Sequence, residues 1–269
     1  MKGRKKALLL LLAAGLVFVV CGWDYGLKTV TYQVQTADLT APVRVVCITD
    51  LHCCDWGEGQ RQLLDAMDAA APHLVVLVGD ILDDTMPLEQ GYAVLEYLAA
   101  NWPCFYVTGN HDAHMAQQVA DFGISVLDGS TQQMTIQDQT LYLCGIGDPR
   151  TYGAEVFSAR LAALNAENQR RDGLSLLLAH RPARIGEYLP GGYDVILSGH
   201  AHGGQWRIPG LLNGLLAPDE GLFPRYAGGF YQMGSTAFIV SRGLAKESTR
   251  VPRLYNPPEL VLVELLPIS

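Results

Sequence analysis

The chain has no internal repeat, and no low-complexity tract beyond its leader, so nothing in it argues for more than one core. A basic excess is also missing. Lys and Arg together number 19 against 27 Asp and Glu, a formal charge of −8, and the isoelectric point is near 5.3. Proteins that grip long polyanions show a basic face, so polymeric nucleic acid is not the expected partner. Cysteine is sparse and poorly placed for bridges. Of six, Cys53 and Cys54 are adjacent, and neighbours rarely pair, so no disulfide framework follows. Cys47, Cys104 and Cys144 sit inside apolar runs and read as small buried hydrophobes.

The N-terminus lacks a small-x-small cleavage site, and Phe18 to Cys21 makes a poor lipoprotein signal. It does carry four basic residues, Lys2, Arg4, Lys5 and Lys6, followed by an apolar stretch from Ala7 to Gly22. Such a segment is a signal peptide or a signal anchor. The stretch would extend about 24 Å as a helix, with Trp23 and Tyr25 as an interfacial belt. The expectation is an uncleaved single-pass membrane anchor over residues 1–23, its basic end cytoplasmic and the remainder extracytoplasmic. The alternative is a cleaved signal and a secreted domain. Residues 24–42 are polar, threonine-rich and alternating, and read as a tether or an edge strand. Residues 43–269 form the expected folded domain. The 269 residues, 49% of them hydrophobic, leave about 230 after the leader, enough to bury a sizeable interior.

Five runs within that domain are short, largely uncharged and rich in Leu or β-branched residues: Val43–Thr49, Leu74–Val78, Cys104–Thr108, Leu174–Ala179 and Tyr193–Ser198. They read as strands buried on both faces. Helical segments at about residues 57–71 and 88–100 separate the first three, which predicts α/β layering. Shorter strands are expected at residues 124–126, 133–137 and 141–145, predicting a second sheet packed on the first.

Each run leads into a polar cluster: Asp50-Leu-His52, Gly79-Asp80, Gly109-Asn-His-Asp112, His180 and Gly199-His-Ala-His202. Ligands of such sheets lie beyond the carboxyl ends of the strands, so the five clusters should converge although far apart in sequence. Asp50, His52, Asp80, Asn110, His180, His200 and His202 mix imidazole with carboxylate and amide and include no cysteine. That donor set suits manganese, iron or zinc. A central carboxylate, Asp80, is the candidate bridge between two ions about 3.5–4 Å apart, the spacing used for in-line displacement at phosphorus.

Taken alone, each cluster could be an ordinary turn, since Asp, Asn and Gly favour turns for backbone reasons. The order of all five, with five of the seven histidines inside them, resembles the calcineurin-like metallophosphoesterase superfamily. The stretch Gly199-His-Ala-His-Gly-Gly-Gln205 resembles its YkuE/YaeI-type membrane-associated phosphodiesterase branch. The resemblance covers roughly residues 43–265.

This resemblance implies a two-sheet sandwich flanked by helices and two divalent metal ions. Asp50, His52, Asp80 and His202 would hold one ion, and Asp80, Asn110, His180 and His200 the other. A metal-bridging hydroxide would attack phosphorus in line. His111 would be the catalytic histidine that helps the leaving oxygen depart, oriented by Asp83. The substrate would be a small or lipid-linked phosphodiester or pyrophosphate. Ala183 stands where relatives often carry an Asp. Arg181 reads either as a phosphate contact or as a solvated arginine. His73 and His114 read as surface or packing residues, with His114 close enough to touch substrate. Cys53 and Cys54 adjoin the first cluster, where a thiolate could compete for metal. The apolar segment from Ile208 to Gly234 reads equally as a lid that touches a membrane or acyl chain and as a core-packing loop. Two other classes stay open: a phosphomonoesterase, protein phosphatase or nucleotidase of the same fold, and a non-catalytic binding module, against which the full ligand set with His111 speaks.

Overall fold

The computed structural model describes residues 2–246 and 251–268. Met1, residues 247–250 and Ser269, assigned from sequence to the leader and the domain, lie outside the described residues.

Two six-stranded sheets carry the structure. The strands of the first are β1 (Lys28–Thr36), β2 (Val43–Ile48), β3 (Leu74–Val78), β4 (Cys104–Val107), β5 (Ser125–Val126) and, from the end of the chain, Glu259–Pro267. Those of the second are β6 (Ser130–Ile136), β7 (Gln139–Ile146), β8 (Leu174–Ala179) and β9 (Val195–Ser198), completed by the hairpin Gly229–Met233 and Thr236–Val240. The strand Glu259–Pro267 inserts between β1 and β2, parallel to β1 and antiparallel to β2, while β2, β3, β4 and β5 run parallel. In the second sheet β7, β8 and β9 are parallel.

Strand periodicity divides the apolar residues between two faces. Val45, Cys47, Val76, Val78, Leu176, Leu178 and Leu197 fill the space between the sheets. Val46, Ile48, Val75 and Leu77 face outward under the helices Arg61–Ala70 and Glu89–Asn101. Leu177, Ala179 and Ile196 lie under the helix Ala154–Asn168. The architecture is therefore the expected α/β sandwich of two sheets flanked by helices.

Several boundaries differ from the sequence reading for physical reasons. The expected helix over residues 57–71 begins only at Arg61, because Gly59 and Gln60 take left-handed backbone angles of 60° and 61° and divide it from a short preceding turn. Strand β6 starts at Ser130 rather than residue 133. Its exposed, polar first half obtains its register from the hairpin with β7 rather than from burial. Lys28–Thr36, in the segment read as tether or edge strand, pairs along its whole length with residues 259–267.

The N-terminal helix spans Lys2–Gly22, and its window from Arg4 to Gly22 has a mean hydropathy of 2.1. At 21 residues it is roughly 31 Å long, so it is long and apolar enough to be a membrane span or a signal sequence. Its last turn touches the folded part: the Phe18 and Tyr255 rings lie 4.8 Å apart, and Tyr255 N–H donates to the Gly22 carbonyl at 2.7 Å.

Candidate metal centre

The parallel strands all deliver their carboxyl ends to one edge of the sandwich. Asp50 follows β2, Asp80 follows β3, Asn110 follows β4, His180 follows β8, and His200 follows β9. Two tight groups result. Asp50, His52 and His202 each offer one ligand atom within 4.8 Å of the others, and so do Asp80, His180 and His200. Asp80 Oδ2 lies between them, 3.6 Å from His52 Nε2 and 3.2 Å from His180 Nε2. It is the sequence-selected carboxylate that faces both groups.

The loops are stitched together before any ligand is considered. His200 N–H donates to Asp50 at 3.0 Å, joining the first and last clusters across 150 positions. Asp80 Oδ1 accepts from His111 N–H at 2.8 Å. Asp112 accepts from Gly109 N–H at 2.7 Å and Ile81 N–H at 2.8 Å, which locks the Gly-Asn-His-Asp turn to the Gly-Asp turn. The Asn256 amide donates to the His202 carbonyl at 2.7 Å and the Gln205 carbonyl at 3.2 Å, holding the last loop in place. Gly79 has a φ of +80°, and a Cβ there would lie 2.5 Å from His180 Nδ1, so no larger residue fits.

Five of the seven ligand-type residues carry left-handed backbone angles: Asp50 at 51°, His52 at 48°, Asp80 at 54°, His200 at 64° and His202 at 47°. Non-glycine residues adopt this region at a cost of about 1 kcal/mol or more each, and keep it only where the surroundings over-determine it.

Buried polar atoms without partners also collect here. His180 Nδ1 is 2.8 Å from the Val78 carbonyl, which can only accept, so Nδ1 keeps its proton and Nε2, 3.2 Å from Asp80 Oδ2, is the nitrogen that can exchange a proton for a cation. His52 Nδ1 donates to Asp83 at 2.6 Å, with the same result at its Nε2. Among the described residues, His52 Nε2, Asp80 Oδ2, Asn110 Oδ1 and His180 Nε2 are buried with no hydrogen-bond partner. Each such orphan costs about 1–3 kcal/mol unless something binds it. The four belong to the sequence-selected set, and imidazole nitrogens with carboxylate and amide oxygens suit divalent transition cations. The residues present therefore fit the metal ions that the donor set implies.

Charge in the cluster is strongly coupled. Burial raises the Asp50 carboxyl above its usual range, and the Asp80 charge adds to the effect. Burial disfavours a charged His180 ring, but the Asp80 and Asp50 carboxylates overcome this and push it up to about 10. Burial, reinforced by His180 and Arg181, holds His200 down at about 3. A cation must therefore displace the proton held by His180, so its affinity should increase as pH rises from 6 to 8. Titration calorimetry in two buffers of different ionisation enthalpy should show net proton release at pH 7. Zero release would contradict this charge arrangement.

Some expected contacts are redistributed. Asp83, expected to orient His111, is 3.9 Å from His111 Nδ1 and is committed to His52; Asp84 makes the 2.9 Å contact to His111. The doubled aspartate after Gly79-Asp80 lets one carboxylate serve each histidine. Arg181 is held by Asp148, at 2.5 Å and 3.2 Å, and by Asp219. Asp219, which belongs to no motif in the sequence, also approaches His200 Nε2 at 3.3 Å. Cys53 is buried and its thiol is pushed up to about 11, chiefly by burial, which leaves little thiolate to compete for metal. His73 accepts Arg44 N–H at 2.9 Å, a packing role. His114 is exposed near His111. The apolar segment divides: Ala217, Tyr226 and Ala227 are buried, whereas Leu211, Leu222 and Phe223 are exposed.

Residues 43–204 match the family described as calcineurin-like phosphoesterase. The chain is 28% identical to an uncharacterised metallophosphoesterase of Bacillus subtilis, YkuE, over 94% of this chain and 93% of that protein. It is 27% identical to the Escherichia coli phosphodiesterase YaeI over 85% of this chain and 84% of the relative. Among solved structures, TT1561 of Thermus thermophilus aligns with a TM-score of 0.51 and 14% identity, over 77% of this chain and 92% of that one. GAP50, the anchor in the inner membrane complex of Plasmodium, aligns with a TM-score of 0.53 and 11% identity, over 84% and 82%. At such identities the structures speak to the fold alone.

Proposed function

Since the chain belongs to the calcineurin-like phosphoesterase family, we propose that it is a two-metal hydrolase that cleaves phosphodiester or pyrophosphate bonds of small or lipid-linked substrates. The observation that carries this reading is the set of four orphaned polar atoms, on His52, Asp80, Asn110 and His180, gathered at the carboxyl ends of both sheets. Asp50, His52, Asp80 and His202 would hold one divalent ion, and Asp80, Asn110, His180 and His200 the other. Manganese, iron or zinc ions there would lower the pKa of a shared water and neutralise charge growing on the phosphoryl oxygens.

The chain's own residues supply the rest. His52 and His180 are fixed in the ligating tautomer by Asp83 and the Val78 carbonyl. His111 lies at the edge of the centre, its ring 4.9 Å from that of His52 and partly open to solvent. Its Nδ1 faces Asp84, which leaves Nε2 to hand a proton to the departing ester oxygen. The helix Lys2–Gly22, as an uncleaved anchor, would keep residues 24–269 on the outer membrane surface, with β1 built into the catalytic sheet.

Full-length protein in membranes, supplied with manganese, should hydrolyse bis(p-nitrophenyl) phosphate faster than p-nitrophenyl phosphate. Intact cells should turn over the diester about as fast as broken cells. Equal rates on both esters would sink the diesterase reading, and activity only after lysis would sink the outward orientation.

A further inference from the structure

Beside the metal centre, and sharing the His111 wall with it, lies a pocket of about 320 Å³ lined by Asp84, Asn110, His111, His114, Met115 and Arg150. Its size is at the lower end of those that hold small organic groups. Its charge is unbalanced. The one carboxylate on its wall, Asp84, is engaged by His111 at 2.9 Å. Arg150 has no carboxylate within ion-pair distance among the described residues; its guanidinium only leans on the Asn110 carbonyl at 3.4 Å. The neighbouring acid, Asp148, is taken by both the Arg181 side chain and the Arg150 backbone N–H. Arg150 is thus an exposed cation held at the rim by the Pro149–Tyr152 turn.

The position of this pocket decides what it receives. In the proposed reaction the departing oxygen is the one that meets His111, so the group attached to that oxygen extends past His111 into this space. We infer that the pocket is the leaving-group subsite and that Arg150 binds a second anionic group there, making pyrophosphate diesters the preferred substrate class. This rests on the hydrolase reading above and narrows it. Water forms the new bond to the attacked phosphorus, the bridging P–O bond breaks, and the departing phosphomonoester keeps the bridging oxygen. The two hydrogens of the water leave as protons to the products or to solvent. A phosphate leaves more readily as an anion than an alkoxide does, and a planar guanidinium suits its oxygens.

The test is the ratio of kcat/KM for UDP-glucose, a pyrophosphate diester, to that for bis(p-nitrophenyl) phosphate, measured on full-length protein with manganese for wild type, Arg150→Ala and Arg150→Lys. In Arg150→Ala the ratio should drop about tenfold or more, mainly through KM for UDP-glucose, and Arg150→Lys should recover part of it. Broadening of the UDP-glucose phosphorus NMR lines by metal-free wild type, lost in Arg150→Ala, would show the contact without turnover. An unchanged ratio in Arg150→Ala, with wild type active on the aryl diester, would overturn the subsite and leave the hydrolase reading standing. A wild type inactive on both substrates would overturn the hydrolase reading and the subsite with it.

Discussion

Replacing His111 by alanine should lower kcat by roughly 10²–10⁴-fold while the protein keeps its divalent ions, because general acid catalysis of ester departure is worth about that much. The His111 side chain is partly exposed and donates its Nδ1 proton to a surface carboxylate rather than packing in the core, so its loss should leave the fold intact. Its nearness to His52 and Asp80 gives the experiment its edge, since those three residues also form a group able to hold an ion. If His111 were a ligand, metal content would fall together with rate. Metal analysis beside steady-state kinetics separates the two roles, and a rate within threefold of wild type would remove His111 from the chemistry.

The second large effect is expected at Asp80. Asparagine can keep the oxygen that accepts His111 N–H at 2.8 Å, so the Gly-Asn-His-Asp turn should hold. It removes the charge that faces His180 Nε2 at 3.2 Å and His52 Nε2 at 3.6 Å, the one placed to serve both ions. Altering groups that merely support metal ligands costs about 10–100-fold in affinity. Removal of a shared anionic ligand should exceed that for both ions at once, and rate should fall by about 10³-fold or more, since the ions provide several kcal/mol of charge stabilisation. The corresponding change at Asp83, which among the ligand-type histidines contacts His52 alone, should weaken one ion and cost less.

Much of the site was legible in the sequence because both-face burial makes a parallel strand an unbroken apolar run, so Leu74–Val78 and Leu174–Ala179 announce their own ends and the polar residues after them. What stayed hidden depends on contacts between distant segments. Nothing local says that Glu259–Pro267 inserts between β1 and β2, since any mostly apolar strand could take that internal position. The exchange of roles between Asp83 and Asp84 turns on which way adjacent side chains leave one turn, which composition does not encode. Arg181 reads as a free cation until the fold brings Asp148 and Asp219 to it. Asp219 itself sits in a Pro-Asp-Glu-Gly stretch that signals only a turn. Asn256, which fixes the last histidine loop from 51 positions beyond Gln205, has no motif of its own.

The central claim is that the orphaned atoms at the strand ends hold two ions that share Asp80. Elemental analysis of purified full-length protein, wild type against Asp80→Asn after equal manganese loading and desalting, tests it most directly. The account expects about two divalent ions per wild-type chain and loss of both in the variant, with activity lost in parallel. A variant that kept two ions and full rate, or a fully active wild type holding none, would contradict it.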